Sequence, residues 1–471
     1  MTTSSTSEHR VDEPAGFDDL NQQIKDQRAA LAKLDSLSDD VDELYNDAAK
    51  MDEPSRETVA QEMQQLQHEV VSLASIADLE TAKERIAEVI AAPYRQAVKR
   101  ARETVCEVVG IEGNLDAETV DGLNEALTRS ESDELREMET SFNRIQDRLR
   151  TLPKAAQTAV GQLLLDNTDL YLTSPETKLE PVVDTVEAQS NALETVDQAL
   201  DGLAWGPDEP LAATSDYYGV SVDAVDADTV VHYVNTVDDR LADTDGLDLT
   251  TVAQAHLAQV LPVEDPADLV GRFKELSRYT TKSARYESTF VHASALVDTV
   301  GDPSAHEASD VAGYTDEVNS FIEDPSGDKP ARRLAEKLRL LAEEYDHWTD
   351  TYTSLLTRDA VAIQAVDSYT ELPDFSSPSE VIDLTADGVT PEMVEEQPVE
   401  AVAAHQAYED WVDTLRGEAS PNGGADIDLL LALVRGDTVS AADVGPAEFA
   451  TLEELLGDEL TLRLTDGPEE A

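Results

Sequence analysis

The sequence predicts a mostly α protein: antiparallel coiled-coil and helical-bundle segments, with a small C-terminal α-rich (α+β) domain. Three observations carry this reading. Apolar residues recur at alternating steps of four and three in several separate stretches between Leu20 and Leu355, the spacing of a helix seam. Apolar residues make up 41% and aromatics only 5% of the 471 residues, which suits long narrow seams better than one thick core. "ELTLRLT", near the C-terminus, is the best strand signal in the chain.

Taken in order, residues 1–18 are polar and read as a disordered tail. A coiled-coil or bundle region is expected over 19–203. Its first seam is Leu20, Ile24, Leu31, Leu34, Val41 and Ala48, with Gln27 and Ser38 as polar exceptions. "MDEPSRE" breaks it, and the next seam is Val59, Met63, Leu66, Val70, Leu73 and Ala77, resuming through Ile86 and Ile90. Pro93 either kinks this helix or opens another. After the turn "VGIEGNLDAE" come Leu135, Met138, Phe142, Ile145, Leu149 and Leu152, closed by Pro153. A short helix follows, then the ladder Leu179, Val182, Val186, Leu193, Val196, Leu200 and Leu203, with Gln189 as its exception.

"AWGPDEP", residues 204–210, marks a domain boundary. Residues 211–310 read as shorter helices between Asp- and Gly-rich turns. A long helix over 330–372 is expected to return to the bundle along Leu334, Leu338, Leu341, Tyr345, Trp348, Tyr352 and Leu355. Residues 380–471 read as the small C-terminal domain, with Thr390 as an N-cap ahead of Pro391.

The chain carries 100 Asp and Glu against 34 Lys and Arg, a net charge of −66. Such a surplus drives a compact chain apart in dilute buffer. In molar salt the Debye length falls to about 3 Å, and that repulsion is screened. High acid content, 11 Lys against 23 Arg, and plentiful Ala, Val and Thr resemble proteins of salt-in halophiles, a likeness of composition and not of family. The acids are spread among apolar residues instead of bunched as in disordered tails. One cysteine, Cys106, excludes an intrachain disulfide, and its valine neighbours point to a small buried side chain. No apolar run approaches a membrane span and no hydrophobic signal core opens the chain, so the expectation is a cytoplasmic protein away from the membrane.

Motifs for nucleotide, zinc or nucleophile chemistry are not found: there is no phosphate-binding glycine loop, no H-E-x-x-H and no G-x-S-x-G. Glu344 and His347 form one carboxylate–imidazole pair on a helix face, where a di-metal bundle site needs two such pairs and two further Glu. The Tyr345–Trp348–Tyr352 stripe falls on the helical grid and reads as core. No cofactor is expected, and the chain is read as no enzyme.

What stands out is where the cations sit. Three islands, residues 83–102, 272–286 and 329–339, hold 16 of the 34 basic residues in 46 positions, each with net +4. Arg95, Lys99 and Arg102 are four and three apart, with Arg100 beside them. Lys274, Arg278, Lys282 and Arg285 step by four, four and three; Lys329, Arg333 and Lys337 step by four. On helices each set makes a stripe on one face. Three uses fit: pairing with acidic faces of the chain's own helices, docking an acidic partner chain or a second copy, or tracking a phosphate backbone. Molar salt erodes backbone binding, and residues 372–471, with 24 acids and 3 bases, repel nucleic acid. The expected function is a non-enzymatic scaffold or adaptor subunit of a larger complex. The alternative is an accessory subunit of a nucleic-acid-handling assembly whose catalytic chain is separate.

Overall fold

A computed structural model describes residues 20–29, 31–32, 35–36, 61, 76–219, 224–301, 310–367, 374–378, 381–385, 388–419, 429, 431–432 and 444. Among them the regular structure is helical, with no strand. The calls on the 1–18 tail, the Val59–Leu73 seam and "ELTLRLT" lie outside the described residues, as does most of the Leu34–Ala48 stretch. The chain divides into two compact units: Met1–Glu194 with Pro210–Val225 and Glu264–Pro266, and Thr195–Glu209 with Asp226–Val263 and Ala267–Ala471.

In the first unit, helix α1 (Ile76–Val108) runs through Pro93 without ending there. Beyond it the chain reverses at Gly110, whose φ of 79° favours glycine. The Ile111 N–H reaches back to the Cys106 carbonyl at 2.9 Å, closing the helix end. Helix α2 (Ala117–Arg129) starts where the Asp116 side chain accepts the Thr119 N–H. Helix α3 (Ser132–Thr151) packs along α1 and buries Leu135, Phe142, Ile145 and Leu149, four members of its expected ladder. Helix α4 (Lys154–Asp166) follows, with Pro153 as its N-cap residue. Gly161 sits so close to the end of α1 that an added Cβ would stand 2.5 Å from the Val109 carbonyl oxygen.

The short helix α5 (Thr168–Leu172) and a π-helical turn (Pro175–Leu179) lead into helix α6 (Glu180–Leu200). Its Leu179-to-Leu200 ladder is buried at Val186, Leu193 and Val196, while Val183 takes the place expected for Val182. Gln189, the polar exception, is as buried as its neighbours. Arg148 of α3 bridges to Asp184 at 2.6 Å and also to Glu187, and Arg144 to Glu180 at 2.5 Å. These pairs set which face of α6 meets α3.

The second unit holds helices α7 (Ala227–Asp243), α8 (Thr250–Val260), α9 (Asp268–Ala284), α10 (Glu287–Val300), α11 (Val311–Glu323), α12 (Pro330–Asp367), α13 (Pro391–Glu396) and α14 (Pro398–Ala419). Trp205, from the expected boundary segment, is buried and donates to Asp238 of α7 at 3.3 Å. The 38 residues of α12 make a rod of about 57 Å. Helices α8 to α11, α13 and α14 all pack on it.

The buried ladder of α12 starts as expected at Leu334, Leu338, Leu341, Tyr345, Trp348 and Tyr352. It then moves to Leu356, Asp359, Ile363 and Val366, leaving Leu355 half-exposed. The two consecutive steps of four keep a straight 3.6-residue helix facing one side; a strict heptad would instead wind it around a partner.

His256 of α8 is wholly buried beneath the start of α12, its Nδ1 accepting the Ala331 N–H over a long 3.4 Å. That contact leaves the ring proton on Nε2. Burial pulls the imidazole below its usual pKa, and Glu275 opposes. His256 is therefore neutral in the folded protein, while in the unfolded chain it gains a proton as pH falls through about 6.5. The unfolded state then binds more protons, so stability that is full above about pH 6.5 declines as pH falls toward the lowered native value. Urea unfolding in concentrated KCl should show this decline as pH falls from about 6.5 toward 5.5, and His256→Gln should flatten it.

Candidate interaction site

The three basic islands meet different fates. Arg95 of α1 lies across the end of α2. Its Nε donates to the Leu127 carbonyl at 3.0 Å, one terminal nitrogen donates to the Thr128 carbonyl at 3.4 Å, and the other pairs with Glu88 at 2.5 Å. A cation there meets carbonyls that a helix C-terminus leaves without partners, at the negative end of its dipole. Arg102, two turns on, is 4% exposed and donates to Asn124 Oδ1 at 2.8 Å. Burial draws its pKa down, against which the nearby Cys106 and Glu103 act. Lys99 is half-exposed and Arg100 exposed. The first stripe thus clamps α2 onto α1.

Cys106 is buried beside it, and desolvation pushes its thiol up to about 11. A thiol so rarely ionised makes a poor nucleophile.

The third stripe grips a turn. Lys329 adopts a left-handed φ of 53° and bonds both carboxylate oxygens of Glu275, at 2.8 and 3.1 Å. The Gln259 side chain spans the same turn, donating to the Gly327 carbonyl at 2.6 Å and accepting the Lys329 N–H at 3.1 Å. Arg333 donates to the Ser326 carbonyl at 3.2 Å, and Lys337 pairs with Glu317 of α11 at 2.7 Å. Each of its three cations is thus held inside the unit.

The α9 stripe differs. Lys274, Arg278, Lys282 and Arg285 are all exposed, and among the described residues none of them is ion-paired. From Lys274 to Lys282 they rise about 12 Å along one helix face. Phe273, Leu276 and Thr280 bury the opposite face. Arg278 and Lys282 both lie over the Tyr279 ring, 5.7 and 5.4 Å from its centroid. The ring's negative face attracts both cations and holds them side by side.

Glu344 and His347 do not converge on a metal. Glu344 accepts the Asp310 N–H at 2.7 Å, just before α11, while His347 is exposed. Among the described residues, no group of three or more His, Cys, Asp or Glu side chains is placed to share a metal ion. Tyr345, Trp348 and Tyr352 are buried and stacked, with centroids 5.6 and 4.8 Å apart. Tyr345 also donates to the Glu395 carbonyl at 2.7 Å, tying α13 to the rod.

Sequence reasoning passed over one pair. His405 Nδ1 of α14 meets Asp359 Oδ2 of α12 at 2.6 Å, with their side chains 8% and 1% exposed. Tyr352 and Tyr408 flank the imidazole. A carboxylate holding an imidazole is also the orienting half of a catalytic dyad. Here the other ring nitrogen looks toward Glu409, 3.6 Å away on the same helix, so the pair acts as a pin between α12 and α14. The signal was present: carried on at the helical period, the Tyr345–Tyr352 ladder places an acid at Asp359.

No family model, no curated protein and no solved structure matches the chain. No described helix is long and apolar enough to cross a membrane.

Leaving a buried polar group without its hydrogen-bond partner typically costs about 1–3 kcal/mol, more where the group is charged. Asp359→Ala should therefore destabilise the second unit by about 3 kcal/mol in denaturant unfolding, and Asp359→Asn, which keeps an acceptor and the volume, by clearly less.

Proposed function

We propose that this chain is a non-enzymatic helical scaffold or adaptor subunit of a larger cytoplasmic complex in a halophilic organism, and that it docks an acidic partner chain along α9. One observation carries the reading: in a chain short of cations, Lys274, Arg278 and Lys282 stand exposed on one face of α9, with Arg285 exposed just past its end. Cations at steps of four suit carboxylates repeated at the same period on a partner helix. The acidic, Lys-poor composition supports the halophilic setting. The finer fold reading belongs to the same proposal: antiparallel coiled-coil segments as spacers and a C-terminal α+β domain over 380–471, whose excess of acids suits protein contacts.

The Tyr279 ring weighs against the nucleic-acid alternative. Single-stranded binding draws on aromatic faces for base stacking, and this ring already carries Arg278 and Lys282. Backbone binding by charge alone fades in concentrated salt.

The test is affinity purification of the full chain from its host in concentrated KCl. A stoichiometric protein partner should survive nuclease treatment. The triple change Lys274→Glu, Arg278→Glu and Lys282→Glu should cut its retention about tenfold or more, a loss of at least 1.4 kcal/mol. Lys99→Glu with Arg100→Glu should leave it bound. Loss of the partner on nuclease treatment would favour the nucleic-acid reading; retention by the triple variant would refute the α9 site.

A further inference from the structure

Residues 20–29, 31–32 and 35–36 are helical, and every one of them is exposed. Leu20, Ile24 and Leu31 are 56%, 41% and 61% exposed. Locally, Gln22 donates to Asp26 at 3.1 Å, one turn along. A side-chain pair of this kind adds only about 0.2–0.5 kcal/mol to a helix. Most helices draw their stability from tertiary packing of an apolar face, and this one packs its face on nothing described. A row of Leu, Ile and Leu turned to water is half of an interface.

We propose that the helix beginning at Leu20, in place of the antiparallel pairing given above for the coiled-coil region, pairs with the same helix of a second copy, as a parallel, in-register, two-stranded coiled coil.

The spacing assigns the register. The step of four from Leu20 to Ile24 and the step of three to Gln27 put Leu20 and Gln27 at d positions, and Ile24 and Leu31 at a positions. Isoleucine at a beside leucine at d favours two parallel strands. Gln27 then decides the alignment. In a parallel, in-register pair it faces its own copy, and the two amides can bond each other. Reversing one helix to set Leu20 against Leu31 puts Gln27 against Ile24, burying an amide on a branched hydrocarbon, which costs free energy.

Charge favours the same occupant. Residues 20–36 carry Lys25, Arg28 and Lys33 against Asp26 and Asp35, net +1 in a chain of net −66. The copies therefore meet along a segment that repels itself little. The α9 stripe plays no part, so the two proposals stand or fall separately.

Cysteine cross-linking of the full chain in concentrated KCl tests the register. The d position brings paired Cα atoms within disulfide reach. Gln27→Cys should form a covalent dimer at twice the 51.2 kDa chain mass on mild oxidation. Lys25→Cys, at an outward b position, should not. The native thiol, Cys106, is buried and stays out of the reaction. By light scattering the unaltered chain should be dimeric, and Ile24→Asp with Leu31→Asp should shift it to monomer with its helix content largely kept. A monomeric unaltered chain, equal cross-linking at positions 25 and 27, or a dimer that survives the double change would overturn the proposal.

Discussion

With 100 carboxylates and 34 Lys and Arg, the placement of each cation constrains everything else in this molecule. Long-range repulsion among the acids is removed by salt, whose screening length at 1 M is about 3 Å. Contacts such as Arg148 with Asp184 at 2.6 Å and Lys337 with Glu317 at 2.7 Å lie within that length and persist. Surface pairs of this kind add at most about 1 kcal/mol each, so their main effect is on register. They decide which face of α6 meets α3 and which face of α11 meets α12. Against that inward use, a row of exposed cations on α9 is an exception that a docking role accounts for.

The second unit is organised by α12 in a different way. Its apolar row keeps the 3.6-residue period, so it presents one straight buried face to helices before and after it in sequence. Aromatics fill the middle of that face. Asp359 interrupts it and is answered by His405 from α14, so the rod carries a polar pin where α14 packs. A slip of α14 along the rod would separate the two side chains and leave buried polar groups without their hydrogen-bond partner, which costs free energy. His256 does a related job at the other end of the rod, capping its first turn.

Much of this was legible from residue spacing. The α3 ladder, the first six members of the α12 ladder and the Thr390 cap with Pro391 behind it all follow local rules, and local rules can be read from one sequence. The shift from Leu355 to Leu356 was not, because a 3.5-residue grid and a 3.6-residue helix separate only after several turns. The Asp359–His405 pin spans 46 residues, and spacing along a chain says nothing about such a meeting. The basic stripes were visible as stripes. Which of them turns inward depends on tertiary neighbours: the carbonyl end of α2 for Arg95, and Glu275 for Lys329. Leu20, Ile24 and Leu31 were legible as a seam, and their exposure is what makes a second copy the natural complement.

The central claim, that Arg95 and Arg102 of the first island and Lys329, Arg333 and Lys337 of the third are bound inward while the α9 stripe faces out, is open to a direct measurement. Amine-reactive labelling of the native protein in concentrated KCl, read by peptide mass spectrometry, reports the freedom of each lysine. The account predicts that Lys274 and Lys282 react several-fold faster than Lys329 and Lys337, whose ammonium groups are held by Glu275 and Glu317. Equal rates at all four, or faster reaction at Lys329 and Lys337, would contradict it.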